Sequence, residues 1–379
     1  MNPLLNKIAS KEIKAIAIDT CIFEGKQFQF EYGILNSLSQ FRNSEIRILI
    51  PEIILNEIQG HMIEETSKIF SDMNKSIKQM QKISLINPEN KEEISKNIFH
   101  DFTPETHSKK RLDEFLEKVN CLVLKTSNNF DLRSLVNLYF KKEPPFKYKK
   151  NEFPDAIALL NLNEYAVENR TDIIVISNDK DWISFCEKNE RLHSIDDLTK
   201  ALSLFHDSDK LKNFCHFFTN EIFEPQDNEF SNEIKDSIDE QLWKVDIFPV
   251  CDTGYRYDSE VIETSLISYK LTEKDTFGFY PIDYENGYIT LQAIISLEVE
   301  IESAFSFTLY DEGEIDMGGT RITDIFTIEV EIILKIESDL SEKIENMSIC
   351  EITIDGTYTE IDYGSITPDW MGLGIGEET

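Results

Sequence analysis

Residues 13–23 read IKAIAIDTCIF, an apolar run in which Asp19 is the one acidic residue. The run is rich in Ile and shows no polar alternation, so it predicts a strand buried on both faces, as in a parallel sheet covered by helices. Similar runs follow at residues 46–50 (IRILI), 121–124 (CLVL) and 172–177 (DIIVIS), with helix-compatible stretches between them. Strands that alternate with helices predict an α/β fold built from crossover units.

The length and charge of the chain indicate more than one domain. With 379 residues, two or three units are expected. The formal net charge is −33, but residues 1–200 hold 28 basic and 31 acidic residues, whereas residues 201–379 hold 10 and 40. The acidity therefore belongs to the second part of the chain. Such a balance excludes a protein that simply coats DNA.

The patterning divides the chain into three regions. Residues 1–200 form the expected α/β domain, with a helical insertion at about 61–119 whose basic residues either line a groove for a polyanion or face water. Residues 201–245 are expected to be a helical and acidic linker. Residues 246–379 alternate apolar and polar side chains with period two, which predicts an acidic, mainly antiparallel β domain with turns at 311–313, 318–319 and 355–356.

Cysteine spacing and hydropathy restrict the class of protein further. The six cysteines are scattered singly, without the close pairs of a zinc site or disulfide scaffold, so they are expected to be reduced and mostly buried. No run of about 18 apolar residues occurs, and the N-terminus lacks the apolar region and cleavage site of a signal peptide. The expectation is a cytoplasmic protein that does not enter a membrane.

Carboxylates are placed where a parallel sheet collects ligands, outside the carboxyl ends of its strands. Five acidic residues follow strand ends or open nearby helices: Asp19, Glu57, Asp155, Asp179 and Asp181. Like charges brought together raise one another's pKa unless a cation neutralises them. Hard oxygen ligands select Mg²⁺ or Mn²⁺, and two such ions would support hydrolysis of a phosphodiester bond.

Three parts of the sequence, IAIDTCIF, IPEIILNEI and EFPDAIALL followed by VISNDKDW, resemble the PIN-domain family. These proteins are metal-dependent nucleases with a small parallel α/β fold and an acidic quartet. The resemblance spans about residues 13–197 and is closest to PIN-like proteins in which a PPF loop and a lysine-containing stretch precede the EFPDAI helix. It implies that the acidic quartet consists, in order, of Asp19, Glu57, Asp155 and Asp179. Asp181 is then an additional carboxylate beside the fourth.

Several assignments leave alternatives open. Glu52 competes with Glu57 as the second acid, and Asp181 either joins the cluster or caps the helix that starts near Trp182. By the resemblance, Asn178 matches a small polar position that orients the fourth acid, and it counts among the residues near substrate. Three lysines before the EFPDAI helix either hold the scissile phosphate or belong to a solvated loop: Lys147, Lys149 and Lys150.

The expected activity is that of a metal-dependent endoribonuclease acting on single-stranded RNA, of the toxin or defence type by family likeness. A nuclease for single-stranded or flap DNA is the alternative within the same chemistry. The competing class is a non-catalytic PIN-like module that recruits a regulatory protein, or a second copy of itself, through the acidic β domain. A phosphatase is excluded, because residues 19–21 read DTC and lack the D-x-D pattern.

Overall fold

The computed structural model describes residues 3–86, 97, 102–127, 130–147, 152–272, 278–310, 314–355 and 358–368. The chain divides into two compact units, Met1–Phe205 and His206–Thr379. Residues 206–245 of the expected linker thus fall in the second unit. In neither unit do the described residues include a helix that combines the length and the apolar character needed to cross a membrane.

A five-stranded parallel sheet forms the centre of the first unit. Its strands are β1 (Ile13–Ile18), β2 (Arg47–Pro51), β3 (Leu122–Leu124), β4 (Asp172–Ile176) and β5 (Leu192–Ile195). They lie in the order β3-β2-β1-β4-β5, and every pairing is parallel. The fold class expected for this part is confirmed. The central strands are almost fully buried on both faces, as their unbroken apolar sequences require.

Helices surround this sheet. They are α1 (Pro3–Ala9), α2 (Thr20–Gly25), α3 (Gly33–Ser37), α4 (Glu52–Lys82), α5 (Pro104–Lys118), α6 (Leu132–Lys141), α7 (Phe153–Glu168), α8 (Lys180–Cys186) and α9 (Leu198–Ser203). The expected helical insertion corresponds to most of α4 together with α5, and these two helices pack on one another. Thr103 starts α5 with a capping box to Thr106, followed by Pro104 in the first turn.

Three local details differ from the sequence-based expectation. The first apolar run is a strand only to Ile18, because the chain turns at Asp19 and Thr20–Gly25 forms α2. Pro51 is the last residue of β2 and precedes α4, whereas the preference of proline for the first turn of a helix predicts a position inside α4. The strand β5 was missed, since its four residues include His193 and Ser194 and carry no strong apolar signal.

The second unit combines helices with an antiparallel sheet, so the expected β-rich fold is confirmed. Its sheet order is β11-β10-β9-β7, with β8 also paired to β9. The strands are β6 (Asp246–Asp252), β7 (Arg256–Leu271), β8 (Tyr280–Glu285), β9 (Tyr288–Tyr310), β10 (Glu314–Ser338), β11 (Met347–Asp355) and β12 (Tyr358–Ser365). The strand β12 is not part of this sheet, because it pairs with β6 in parallel.

The helices of the second unit belong to its core. They are α10 (Asp209–Phe217), a π-helix (Phe218–Phe223) and α11 (Ser231–Asp239). Phe214, Phe218 and Ile234 are fully buried in one cluster with apolar side chains of the long strands. Period-two alternation places Ile295, Leu297 and related residues on this covered face, and Glu298 and Glu300 on the other.

Two of the expected turns lie wholly or partly outside the described residues, namely 311–313 and 355–356. The third, at Gly318 and Gly319, is wrong. β10 continues through both glycines, and its register against β9 shifts there instead. The irregularity needs a residue without a side chain, because a Cβ atom on Gly319 would lie 2.6 Å from the carbonyl oxygen of Phe305.

Substitution Gly319→Ala is expected to destabilise the second unit by about 1–3 kcal/mol, because the two long strands must move apart to admit the methyl group. Urea unfolding followed by circular dichroism measures the change. Gly254→Ala is the matched control, since no atom lies within 4 Å of the Cβ position at Gly254. Equal stability of the two variants would show that the strand pairing at Gly319 tolerates a side chain.

Candidate active site

The carboxylates lie at the point where the strand order of the parallel sheet reverses. From β1 the chain passes to β2 on one side and, after a long connection, to β4 on the other. Asp19 directly follows β1, and its backbone N–H donates to the carbonyl oxygen of Ile176 at the end of β4, at 3.0 Å. Asp179 follows β4 three residues after Ile176. In open α/β sheets this crevice is the usual ligand site.

Asp19 is buried at the end of the first strand, with 5 % of its surface exposed. Its Oδ2 atom accepts a hydrogen bond from Ser177 Oγ at 2.6 Å and another from Cys21 Sγ at 3.0 Å. Burial raises the pKa of Asp19 to about 6, and the negative charge of Asp155 adds to the rise, while the two hydrogen bonds oppose it. The ionised form of Asp19 is therefore costly in this protein without a cation.

Glu57 lies half-buried in the second turn of α4. Its Oε2 atom accepts a hydrogen bond from Thr20 Oγ1 at 2.8 Å, and Thr20 is the residue after Asp19. The contact joins α4 to the end of β1. Glu52 occupies the first helical position of α4, and the structure gives no comparable link from it to Asp19 or Thr20.

Asp155 reaches the site from the first turn of α7. Its Oδ1 atom accepts a hydrogen bond from the indole N–H of Trp182, at 2.7 Å, and Trp182 is buried in α8. This bond fixes the side chain of Asp155 against the segment that follows β4. The influence of Asp155 on the pKa of Asp19 shows that the two carboxylates share one electrostatic environment.

Asp179 and Asp181 lie at the start of α8. Asp179 is the residue before the helix, and its Oδ1 atom accepts the backbone N–H of Asp181 at 2.6 Å. Asp179 and not Asp181 occupies the capping position of this helix, which excludes the alternative role of Asp181 as its cap. Asp181 is buried in the first turn. One oxygen of Asp179 therefore accepts a hydrogen bond at the start of the helix, as expected for a carboxylate whose role is to cap that helix.

Ser177 is a site residue that the sequence analysis missed. Its hydroxyl donates to Asp19 and accepts the backbone N–H of Asp179 at 3.0 Å, so it joins the ends of β1 and β4. Asn178, to which the resemblance gave an orienting role, is exposed, and its Oδ1 atom lies 2.9 Å from Cys21 Sγ. The sequence signal for Ser177 was its place as a small hydroxyl residue at the end of the run DIIVIS, next to the strand-end acids.

The sulfur of Cys21 lies beside the carboxylates, but it is not an activated nucleophile. Burial, together with the charge and hydrogen bond of Asp19, raises the pKa of the Cys21 thiol to about 12. All six cysteines are free, as expected. Only Cys186 and Cys215 are fully buried, so the expectation of mostly buried thiols is wrong.

The donor chemistry of the site fits a hard divalent cation. Its side chains offer carboxylate oxygens, and burial, to which the charge of Asp155 adds, raises the pKa of Asp19. The hydrogen bonds from Thr20 and Trp182 engage one oxygen each of Glu57 and Asp155, and a carboxylate has two. Within the described ranges, no three His, Cys, Asp or Glu side chains stand close enough to hold a metal ion as they are placed.

Only one of the three lysines expected near substrate is among the described residues. Lys149 and Lys150 lie outside the described residues, whereas Lys147 is exposed at the end of the PPF loop. The structure therefore leaves the phosphate-binding role of this stretch as a prediction.

Of the comparisons with known proteins, the one with protein families finds a match. The family model described as PIN domain matches residues 16–182, a range that begins in β1, ends in α8 and includes all five candidate carboxylates. No curated protein and no solved structure matches the chain. PIN domains are usually nucleases that bind nucleic acid and use divalent metals, and the resemblance seen in the sequence is confirmed for this part of the chain. Residues 16–182 thus match the PIN-domain model, and the parallel sheet flanked by helices in this part of the chain is consistent with that nuclease-type fold.

Proposed function

We propose that the first unit is a metal-dependent endonuclease that hydrolyses phosphodiester bonds in single-stranded RNA. The observation that carries this proposal is the buried carboxylate of Asp19, whose pKa is raised to about 6 by burial and, to a smaller extent, by the charge of Asp155. A buried carboxylate at the ligand crevice lowers the stability of the fold when it is ionised, and binding of a cation offsets that loss.

Each residue has a distinct part in this proposal. Asp19 and Asp155 are the principal cation ligands, with Glu57, Asp179 and Asp181 around them. Thr20 positions Glu57, and Ser177 holds one oxygen of Asp19 through its hydroxyl hydrogen. Two Mg²⁺ or Mn²⁺ ions, when bound, supply a water nucleophile at neutral pH and neutralise charge on the leaving oxygen.

The choice of RNA rests on family likeness, because many PIN nucleases are toxins or RNA-processing enzymes. The near-neutral balance of residues 1–200 permits a polyanionic substrate to approach, and Lys149 and Lys150 remain proposed phosphate contacts. A role in toxin action or defence and a cytoplasmic location are proposed on the same likeness. Single-stranded DNA is the alternative that the cleavage assay distinguishes.

For the second unit we propose binding of a regulatory protein or self-association. Its support is the acidity of residues 201–379 and the outer face of β9, where Glu298, Glu300 and Glu302 recur at every second position. Acidic residues on a sheet face also keep a β domain soluble and discourage edge pairing, which is the simpler explanation.

Asp19→Asn is expected to abolish cleavage, because it removes the charge of a buried carboxylate that is proposed as a principal cation ligand. The assay incubates the full chain with end-labelled single-stranded RNA and DNA in Mg²⁺, Mn²⁺ or EDTA. In EDTA the same variant is expected to be more stable than wild type at pH 7.5, by about 3 kcal/mol at most, since a pKa shift from 3.8 to about 6 measures the cost of the buried charge.

The size of this stability difference depends on pH. The folded pKa of Asp19 lies above its ordinary value, so ionised Asp19 destabilises the fold above pH 6, and the advantage of the variant disappears as pH falls from 6 to below 4. Asp113→Asn on exposed α5 is the control and should change neither cleavage nor this pH profile. Cleavage by Asp19→Asn at the wild-type rate would remove Asp19 from the site. A wild-type chain that cuts neither nucleic acid would favour the non-catalytic module.

Glu57→Gln and Glu52→Gln form a matched pair that decides the second acid. Both residues are half-buried on α4, but Glu57 contacts Thr20 beside Asp19. Glu57→Gln is expected to lower the cleavage rate at least 100-fold, whereas Glu52→Gln should stay within a few-fold of wild type. Single-turnover cleavage rates with excess enzyme give the comparison. The reverse order would assign the ligand role to Glu52.

A further inference from the structure

Helix α6 carries apolar side chains on two sides. On one side Leu135 is buried, and Tyr139 packs against Phe146 and Phe153. On the other side a stripe with four-residue spacing is open to solvent. Its exposed fractions are 63 % for Leu132, 41 % for Val136 and 78 % for Phe140. Neighbouring apolar side chains that are exposed together on one helix face are typical of an interaction site.

Three aromatic rings meet at the C-terminal end of α6. The ring of Phe140 meets Tyr139 edge to face, with centroids 5.4 Å apart. The ring of Phe153 also stacks on Tyr139, with ring centroids 5.2 Å apart and an angle of 28° between the ring planes. Phe153 is itself 41 % exposed. Tyr139 therefore supports two rings that both reach the surface.

These rings lie beside the candidate active site. Phe153 opens α7, and Asp155 follows two residues later in the same turn. Side chains at i and i+2 point to different sides of a helix, and a helix with its side chains is about 10 Å across. The rings and the carboxylates thus flank the start of α7. A strand of nucleic acid spans such a distance with a few nucleotides.

The charge around the rings favours a polyanion. Lys141 and Lys142 follow Phe140 directly, Lys147 closes the PPF loop, and all three are exposed. Glu143 is the one acidic residue between them in the sequence. Exposed rings next to lysines match unpaired bases joined by phosphates, because bases stack on aromatic side chains while cations track the backbone. Paired bases inside a duplex present no free face to such rings.

We propose that Phe140 and Phe153, supported by Tyr139, form a stacking platform for unpaired bases next to the carboxylates. The proposal rests on the proposed nuclease function and adds the residues that select single strands over duplexes. Stacking uses the face of a base, which every base has, so the platform accepts any sequence.

Phe140→Ala tests the platform in the full chain, because an exposed side chain can be truncated without disturbing a core. Binding of fluorescein-labelled oligouridine is measured by anisotropy in EDTA, where the strand is not cut. Loss of one stacked base is expected to weaken binding about 5- to 100-fold. Phe140→Leu should weaken it similarly, whereas Phe140→Tyr should bind as wild type does. Leu132→Ala, on the same stripe two turns away, is the matched control and should change nothing.

Unchanged affinity of Phe140→Ala would overturn the platform. Wild-type affinity of Phe140→Leu would overturn it as well, because apolar contact alone would then be sufficient, as for a protein partner. An equal loss in Leu132→Ala would show that the whole stripe is a docking face and not a base-stacking site.

The same samples separate this proposal from the nuclease function. If wild-type protein cuts RNA in Mn²⁺ while Phe140→Ala binds oligouridine normally, the platform fails and the nuclease function stands. If Phe140→Ala weakens binding but wild type cuts nothing in Mg²⁺ or Mn²⁺, the platform stands as a binding site and the nuclease function fails. Wild-type protein that does not bind oligouridine contradicts the platform directly.

Discussion

The pairing of β1 with β4 determines which side chains meet at the candidate site. These strands are far apart in the sequence, yet their parallel register runs from Ile13 and Asp172 to Ile18 and Ile176. It brings Asp19 next to the segment Ser177–Asp179, and the Ser177 hydroxyl then connects both strand ends. Asp172 anchors the opposite end of β4 through Lys7, at 2.5 Å, and His193, at 2.9 Å. A shift of one residue in this register would separate the carboxylates.

The second constraint is electrostatic. Apolar strands exclude water from the end of β1, and the same burial that stabilises the sheet raises the pKa of Asp19. Each neighbouring acid is held by a neutral donor: Glu57 by Thr20, Asp155 by the Trp182 indole, and Asp179 by a backbone N–H. Neutral donors orient carboxylates without cancelling their charge. These hydrogen bonds hold the carboxylates in position before a cation binds.

The sequence predicts much of this arrangement because apolar runs identify buried parallel strands and the strand-end rule then selects acids. IKAIAID and DIIVISND each carry both signals, so the sequence alone selects Asp19 and Asp179 as candidates. Ser177 and β5 were missed, since one is a common residue and the other is short and partly polar. The glycine pair at residues 318–319 predicts a turn, because the sequence of a glycine pair is the same in a turn and in a bulge, and only the partner strand distinguishes them. Which donor holds which carboxylate depends on three-dimensional contacts, such as Trp182 with Asp155, that no local pattern encodes.

The central claim is that the carboxylates at the ends of β1 and β4 form a cation site. Isothermal titration calorimetry of Mn²⁺ into the full chain tests it most directly, with wild type compared with Asp155→Asn. The second unit has many exposed acids that bind Mn²⁺ weakly in both proteins, so the comparison isolates the site. The account predicts a saturable, tighter class of sites in wild type that is lost in Asp155→Asn. Identical isotherms for the two proteins would contradict it.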